Sequence, residues 1–108
     1  MTDAAVLDRL AATIAARRGA DPASSYTAKL LAAGPEKAAR KMGEEAVEAI
    51  VEAVKGDAGR LVEESADLLY HLLVLWAAAG VQPDDVWAAL ERREGVSGLA
   101  ERAARPQS

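Results

Sequence analysis

Five carboxylates recur at helical spacing on the two sides of one short turn. In GEEAVEAIVEAVKGDAGRLVEESADLLYH, residues 43–71, Glu44, Glu45 and Glu48 precede the turn, and Glu64 and Asp67 follow it. Acids placed this way either form a solvated face or hold a cation. At about 100° per residue, Lys41, Glu44, Glu45, Glu48 and Glu52 share one side of the helix before the turn, with Val47, Ile50 and Val54 roughly opposite. Taken alone, that is the pattern of an amphipathic surface helix. The helix after the turn departs from it. Leu61, Leu68, Leu69, Leu72, Leu73, Leu75 and Trp76 cover well over half its circumference, so it should be largely buried. Yet Glu63, Glu64, Asp67, Tyr70 and His71 form a polar stripe along it. Acids on a buried helix must meet solvent, a counter-charge or a metal.

The turn supplies the register. In an antiparallel hairpin centred near Gly56, Glu48 lies level with Glu64, Glu45 with Asp67, and Lys41 with His71. Four carboxylates then form a two-by-two square, each helix giving an i, i+3 pair on one face. Such a square repels itself unless a cation fills it. Oxygen ligands without Cys or clustered His suit a hard ion, Mg²⁺ or Mn²⁺. Mg²⁺ commonly bridges substrate phosphates, which calls for cations nearby, and Lys37, Arg40 and Lys41 lie one or two turns upstream.

These acids need helices to position them, and the chain punctuates five. Asp3 caps a first helix carrying Val6, Leu7, Leu10 and Ile14 and ending near Arg17–Gly19. Asp21-Pro22 breaks the chain, and Ser24 or Ser25 caps a short second helix through Leu31. Gly34-Pro35 ends it and starts a third, which runs to about Lys55 with Gly56 as its stop. After a turn at residues 57–59, a fourth helix continues to about Ala79 and Gly80. Pro83-Asp84-Asp85 opens a fifth, its acids matching the helix dipole, which fades near Arg93–Gly95. The tail SGLAERAARPQS reads as frayed or weakly helical. No alternating strand pattern or internal repeat occurs, so the expected fold is all-α, one domain over residues 1–108 with its core at about 4–93.

Composition narrows the function. The chain has 108 residues, no cysteine and no phenylalanine, and a net charge of −4. No disulfide or thiolate site can form, and no basic run with interleaved aromatics suggests a nucleic-acid surface. MTDAAVLDRL does not read as a signal peptide, and LLYHLLVLWAAAG at 68–80 is too short to span a bilayer. The expectation is a cytoplasmic protein that contacts neither membrane nor nucleic acid.

The acids also carry a resemblance. Glu44-Glu45-Ala46-Val47-Glu48 followed by Glu64-Ser65-Ala66-Asp67 matches E-E-x-x-E and E-x-x-D of the MazG-type all-α nucleotide pyrophosphohydrolases. SYTAKLLAAGPEKAARKMGEEAVE at 25–48 and ADLLYHLLVLWAAAG at 66–80 narrow it: the chain resembles the phosphoribosyl-ATP pyrophosphohydrolase family of histidine biosynthesis. The resemblance implies Mg²⁺-dependent hydrolysis of phosphoribosyl-ATP to phosphoribosyl-AMP and pyrophosphate by a dimer. Carried onto this chain, it makes Glu45, Glu48, Glu64 and Asp67 the metal ligands, with Glu44, Glu45 and Glu48 the catalytic acids. Glu44 is open between orienting a metal-bound water and serving a second metal. Lys37, Arg40 and Lys41 would meet phosphate oxygens. Ser25, Tyr26, Thr27 and Lys29 lie in a matching segment as phosphate or phosphoribosyl contacts, with capping or packing as their alternative.

His71, the single histidine, reads either as hydrogen-bonded structure or as a phosphate contact. Trp76 and Trp87 read as packing or interface residues. Two rival functions stand beside the first: a house-cleaning nucleoside triphosphate pyrophosphatase with the same mechanism, and a non-enzymatic helical dimerisation module with an acidic face. Assembly is expected whichever holds. The first and fifth helices are short and alanine-rich, too thin to cover Leu68, Leu72, Leu75 and Trp76, so two hairpins should pair into a four-helix-bundle-like homodimer.

Overall fold

The computed structural model describes residues 2–96 and 98–106. Among these residues it is all-helical: α1 (Ala5–Ala16), α2 (Tyr26–Ala33), α3 (Pro35–Lys55), α4 (Ala58–Ala79), α5 (Pro83–Arg93) and α6 (Gly98–Ala104). Each boundary has a local cause. Pro35 and Pro83 occupy first-turn positions where a missing N–H costs nothing. The Ser25 hydroxyl accepts from Ala28 N–H at 3.1 Å to cap α2. Asp3 accepts from Ala5 N–H at 2.9 Å at the start of α1. The tail, expected to be frayed or weakly helical, forms the regular turns of α6; Ser97, Gln107 and Ser108 of that stretch lie outside the described residues.

The hairpin turn is set by two adjacent residues. Gly56 adopts φ 78°, a left-handed conformation that a side chain would strain, and its N–H returns to the last carbonyls of α3. Asp57 then caps α4, its Oδ1 accepting from Arg60 N–H at 3.1 Å. α3 and α4 therefore run antiparallel along most of their length. α1 packs against α4, and α2 packs against both α3 and α4.

The core sits at the end of the hairpin away from the turn. Ile14, Leu30, Ala38, Leu73 and Val74 form its buried cluster, with Leu7, Leu10, Leu31, Tyr70, Leu75 and Trp76 partly buried around it. Arg18 donates to the Ala77 carbonyl, fastening the end of α1 to the last turn of α4. Trp76 meets Trp87 of α5 edge to face at 5.6 Å.

Nearer the turn, α3 is inside out. Glu52 is 7% exposed against α4, whereas Val47, Ile50, Val51 and Val54 on α3, and Val62 and Leu69 on α4, lie in solvent. The uncovered apolar stripe is thus displaced from the expected one. Leu68, Leu72, Leu75 and Trp76 are half-buried, because α1 and α2 land on the far half of α4.

Asp57→Ala removes the α4 cap and should cost about 1 kcal/mol in chemical denaturation, with Asp57→Ser recovering most of it. Equal stability of all three proteins would show that the hairpin does not depend on this cap.

Candidate active site

The i, i+3 spacing on α3 sets Glu45 and Glu48 on one face, and Glu64 meets them from α4. One carboxylate oxygen from each lies within 4.8 Å of the others. Glu48 is exposed, Glu45 is half-buried and Glu64 is 8% exposed. Glu45 Oε2 and Glu64 Oε2 are buried without a hydrogen-bond partner. Buried acceptors in that condition are costly, and two beside a third carboxylate form an all-oxygen donor set that a divalent cation could satisfy. Asp67, the fourth acid expected here, is exposed and stands outside this group, although its charge acts on Glu45.

The crowding appears in the proton affinities. The close approach of the Glu48 carboxyl, then burial and the charges of Glu48 and Glu45, push Glu64 from the ordinary 4.5 up to about 7. Glu45 is raised by burial first, then by the charges of Glu48 and Asp67. Protons therefore collect where a cation would otherwise sit.

Cations gather on one side of the acids. Lys29, Lys37 and Lys41 line a cavity of about 360 Å³ with Tyr26, Leu30 and Ala33. Lys41 joins this cavity to the acids through an ion pair with Glu44, Nζ to Oε2 at 3.3 Å. The hydrogen bond to Glu44 and its charge raise the Lys41 pKa, so the ammonium stays charged. Arg40 is not among the residues lining the cavity; its guanidinium pairs with Glu36 at 3.8 Å on the exposed side of α3.

The remaining candidates form a polar and aromatic cluster. His71 is 7% exposed, and its Nδ1–H donates to the Asp67 carbonyl at 2.9 Å. In the neutral ring that leaves Nε2 to accept from the Tyr26 hydroxyl at 3.4 Å. Thr27 and Tyr70 share a hydroxyl–hydroxyl bond, and the Tyr70 ring meets His71 edge to face at 4.9 Å. Ser25 is engaged as the α2 cap. Of this group Tyr26 and Lys29 reach the lysine cavity, while His71, Thr27 and Ser25 act on their neighbours inside the fold.

Two residues escaped assignment from sequence. Glu52, one turn beyond Glu48, is buried, and Arg60, one turn before Glu64, reaches both acids, at 3.6 Å to Glu52 and 3.7 Å to Glu64. Two signals were available: the i, i+4 spacing of Arg60 to Glu64, and the register about Gly56, which sets Glu52 level with Arg60.

The comparisons with known proteins agree with one another. The phosphoribosyl-ATP pyrophosphohydrolase family model matches residues 7–94. A protein of Cereibacter sphaeroides named phosphoribosyl-ATP pyrophosphatase is 68% identical over 100 residues, covering 93% of this chain and 97% of its own. A protein of that name from Dinoroseobacter shibae is also 68% identical over 100 residues, covering 93% and 98%. One from Azospirillum brasilense is 63% identical over 102 residues, covering 94% and 92%. A match spanning α1 to α5 and every acid of the cluster leaves no ambiguity: the chain belongs to the phosphoribosyl-ATP pyrophosphohydrolase family.

Proposed function

We propose that this protein hydrolyses phosphoribosyl-ATP to phosphoribosyl-AMP and pyrophosphate, the second step of histidine biosynthesis, in the cytoplasm. The observation that carries the chemistry is the trio Glu45, Glu48 and Glu64, with orphaned buried oxygens, beside a cavity lined by three lysines. Membership of the family supplies the substrate. Mg²⁺, with Mn²⁺ as its substitute, is the ion these oxygens suit; Glu45, Glu48 and Glu64 would hold it, with Asp67 as the fourth acid. When bound, the ion neutralises charge on the departing pyrophosphate and makes water more acidic. Lys29, Lys37 and Lys41 bind phosphate oxygens and fix the triphosphate against the acids. Glu44, held by Lys41, accepts the proton of the attacking water as the anhydride between the α- and β-phosphates opens. Tyr26, oriented by His71, closes one wall of the cavity.

The working unit is a homodimer. The chain exposes 7661 Å², against roughly 5,700 Å² for a compact monomer of its mass, an excess of roughly 1,900 Å². Its radius of gyration, 15.8 Å, likewise exceeds the roughly 13 Å of a compact chain this long. Twice that excess falls in the range of obligate homodimer interfaces. The stripe Val47, Ile50, Val51, Val54, Val62 and Leu69 is where a second hairpin would pack. No described helix is long and apolar enough to cross a membrane.

Three outcomes are expected. Pyrophosphate release with Mg²⁺ should be far faster from phosphoribosyl-ATP than from ATP or deoxynucleoside triphosphates, and Glu48→Gln should abolish it without lowering the metal-free melting temperature. Preference for ordinary triphosphates would move the assignment to a house-cleaning enzyme, and absence of turnover would leave a dimerisation module.

The pH dependence follows from Glu64. Its folded-state pKa of about 7 exceeds the ordinary 4.5, so metal-free stability should fall as pH rises between those values, the folded state giving up a proton it holds more tightly. Mg²⁺ competes with that proton and should flatten the slope, as should Glu64→Gln. Melting curves with EDTA and with Mg²⁺ test this, and superimposable pH profiles would contradict it.

Sedimentation should give a dimer at micromolar concentration, with a melting temperature that rises with protein concentration. A folded, stable monomer would refute the assembly.

A further inference from the structure

We propose that Arg60, anchored by Glu52, is a positioning residue that fixes Glu64 so that its inner oxygen faces the cation site. This rests on the metal reading above and adds to it a pair of residues outside the acid trio. Arg60 lies in the first turn of α4, three residues after the Asp57 cap, and its guanidinium spans the hairpin. Its Nε lies 3.6 Å from Glu52 Oε1, and a terminal nitrogen lies 3.7 Å from Glu64 Oε1. Lys55 also reaches Glu52 Oε1, at 3.6 Å, so the anchor carries two cations on one oxygen.

The burial of the acids is what gives this arrangement its force. Arg60 is 64% exposed, and a pair between exposed groups would contribute little. But the side chains of Glu52 and Glu64 are only 9% and 11% exposed, and each has an Oε2 buried without a hydrogen-bond partner. Among the described residues, Arg60 is the one cation paired with Glu64. It takes the outer oxygen and leaves the inner one to the trio. Without it, Glu64 would be free to rotate toward water and away from Glu45 and Glu48. Glu52 would keep Lys55 alone, and that lysine is itself exposed. The guanidinium also repels an incoming cation, yet an exposed charge is screened by solvent and salt, so orientation outweighs repulsion.

The test uses Mn²⁺ as the probe, measured by calorimetry on the full chain, beside turnover at graded Mn²⁺. Arg60→Gln should weaken Mn²⁺ binding by about tenfold or more, the scale typical when a partner that orients a metal ligand is lost. Arg60→Lys should recover part of that loss, and Glu52→Gln should weaken binding by a similar factor through the lost anchor. Arg60→Gln combined with Glu52→Gln should be little worse than Arg60→Gln alone, since both break one linkage. At saturating Mn²⁺ the kcat of Arg60→Gln should return near wild type, because Arg60 orients a ligand and is not placed against substrate. Circular dichroism of the metal-free variants controls for folding, and Glu52→Gln gives the same readout should Arg60→Gln fail to fold. Unchanged or tighter Mn²⁺ binding by Arg60→Gln, with wild type binding normally, would overturn the positioning role alone. Absence of Mn²⁺ binding by wild type would overturn the metal reading and the positioning role together.

Discussion

The structure turns on like charges held together. Glu45, Glu48 and Glu64 approach within 4.8 Å because they sit on two helices joined by a tight turn at one end and clamped by a core at the other. Free carboxylates would move apart, since each loses hydration and gains repulsion. Here the hairpin holds their backbones together, and moving the two helices apart would cost Ile14, Leu30, Leu73 and Val74 each other's contact. The stored repulsion is relieved locally by whatever positive charge is at hand: a proton on Glu64, the guanidinium of Arg60, or a divalent ion.

This produces a division along the length of the hairpin. The end beyond the site supplies stability, through helices α1 and α2 laid over α4 and the Arg18 link to Ala77. The end near the turn supplies chemistry, and its inward faces are too polar to hold it shut alone. Turning the acids of α3 inward necessarily turns Val47, Ile50, Val51 and Val54 outward. Site and exposed stripe are thus two sides of one helix, fixed by a single choice of rotation.

Much of this was legible in the sequence because glycine, proline and capping residues fix backbone geometry locally. Gly56, Gly80, Pro35 and Pro83 delimit α3, α4 and α5, and the turn at Gly56 carried the register that sets Glu48 beside Glu64. What the sequence did not disclose depends on contacts between distant segments. The uncovered stripe could not be placed without knowing where α1 and α2 come to rest. Arg40 and Lys37 both precede the acids, yet one points to solvent beside Glu36 and the other into the cavity, a difference that 100° steps do not resolve. Glu52 and Arg60 resemble ordinary surface charges in one dimension, and although the register about Gly56 sets them level, their burial and pairing depend on how the helices face each other. The cluster of Tyr26, Thr27, Tyr70 and His71 similarly joins α2 to the middle of α4, across more than forty residues of sequence.

The edge-to-face pair of Trp76 and Trp87 has a photophysical consequence. These are the chain's two tryptophans, and both lie at the junction of α4 and α5 on the core side of the molecule. Intrinsic indole emission therefore reports on that junction and carries little information from the carboxylates near the turn. Tyrosine is distributed differently: Tyr26 lines the lysine cavity and Tyr70 stacks on it and meets His71, so phenol absorption comes from the α2–α4 contact beside that cavity. Indole and phenol signals thus report separately on the α4–α5 junction and on the α2–α4 contact.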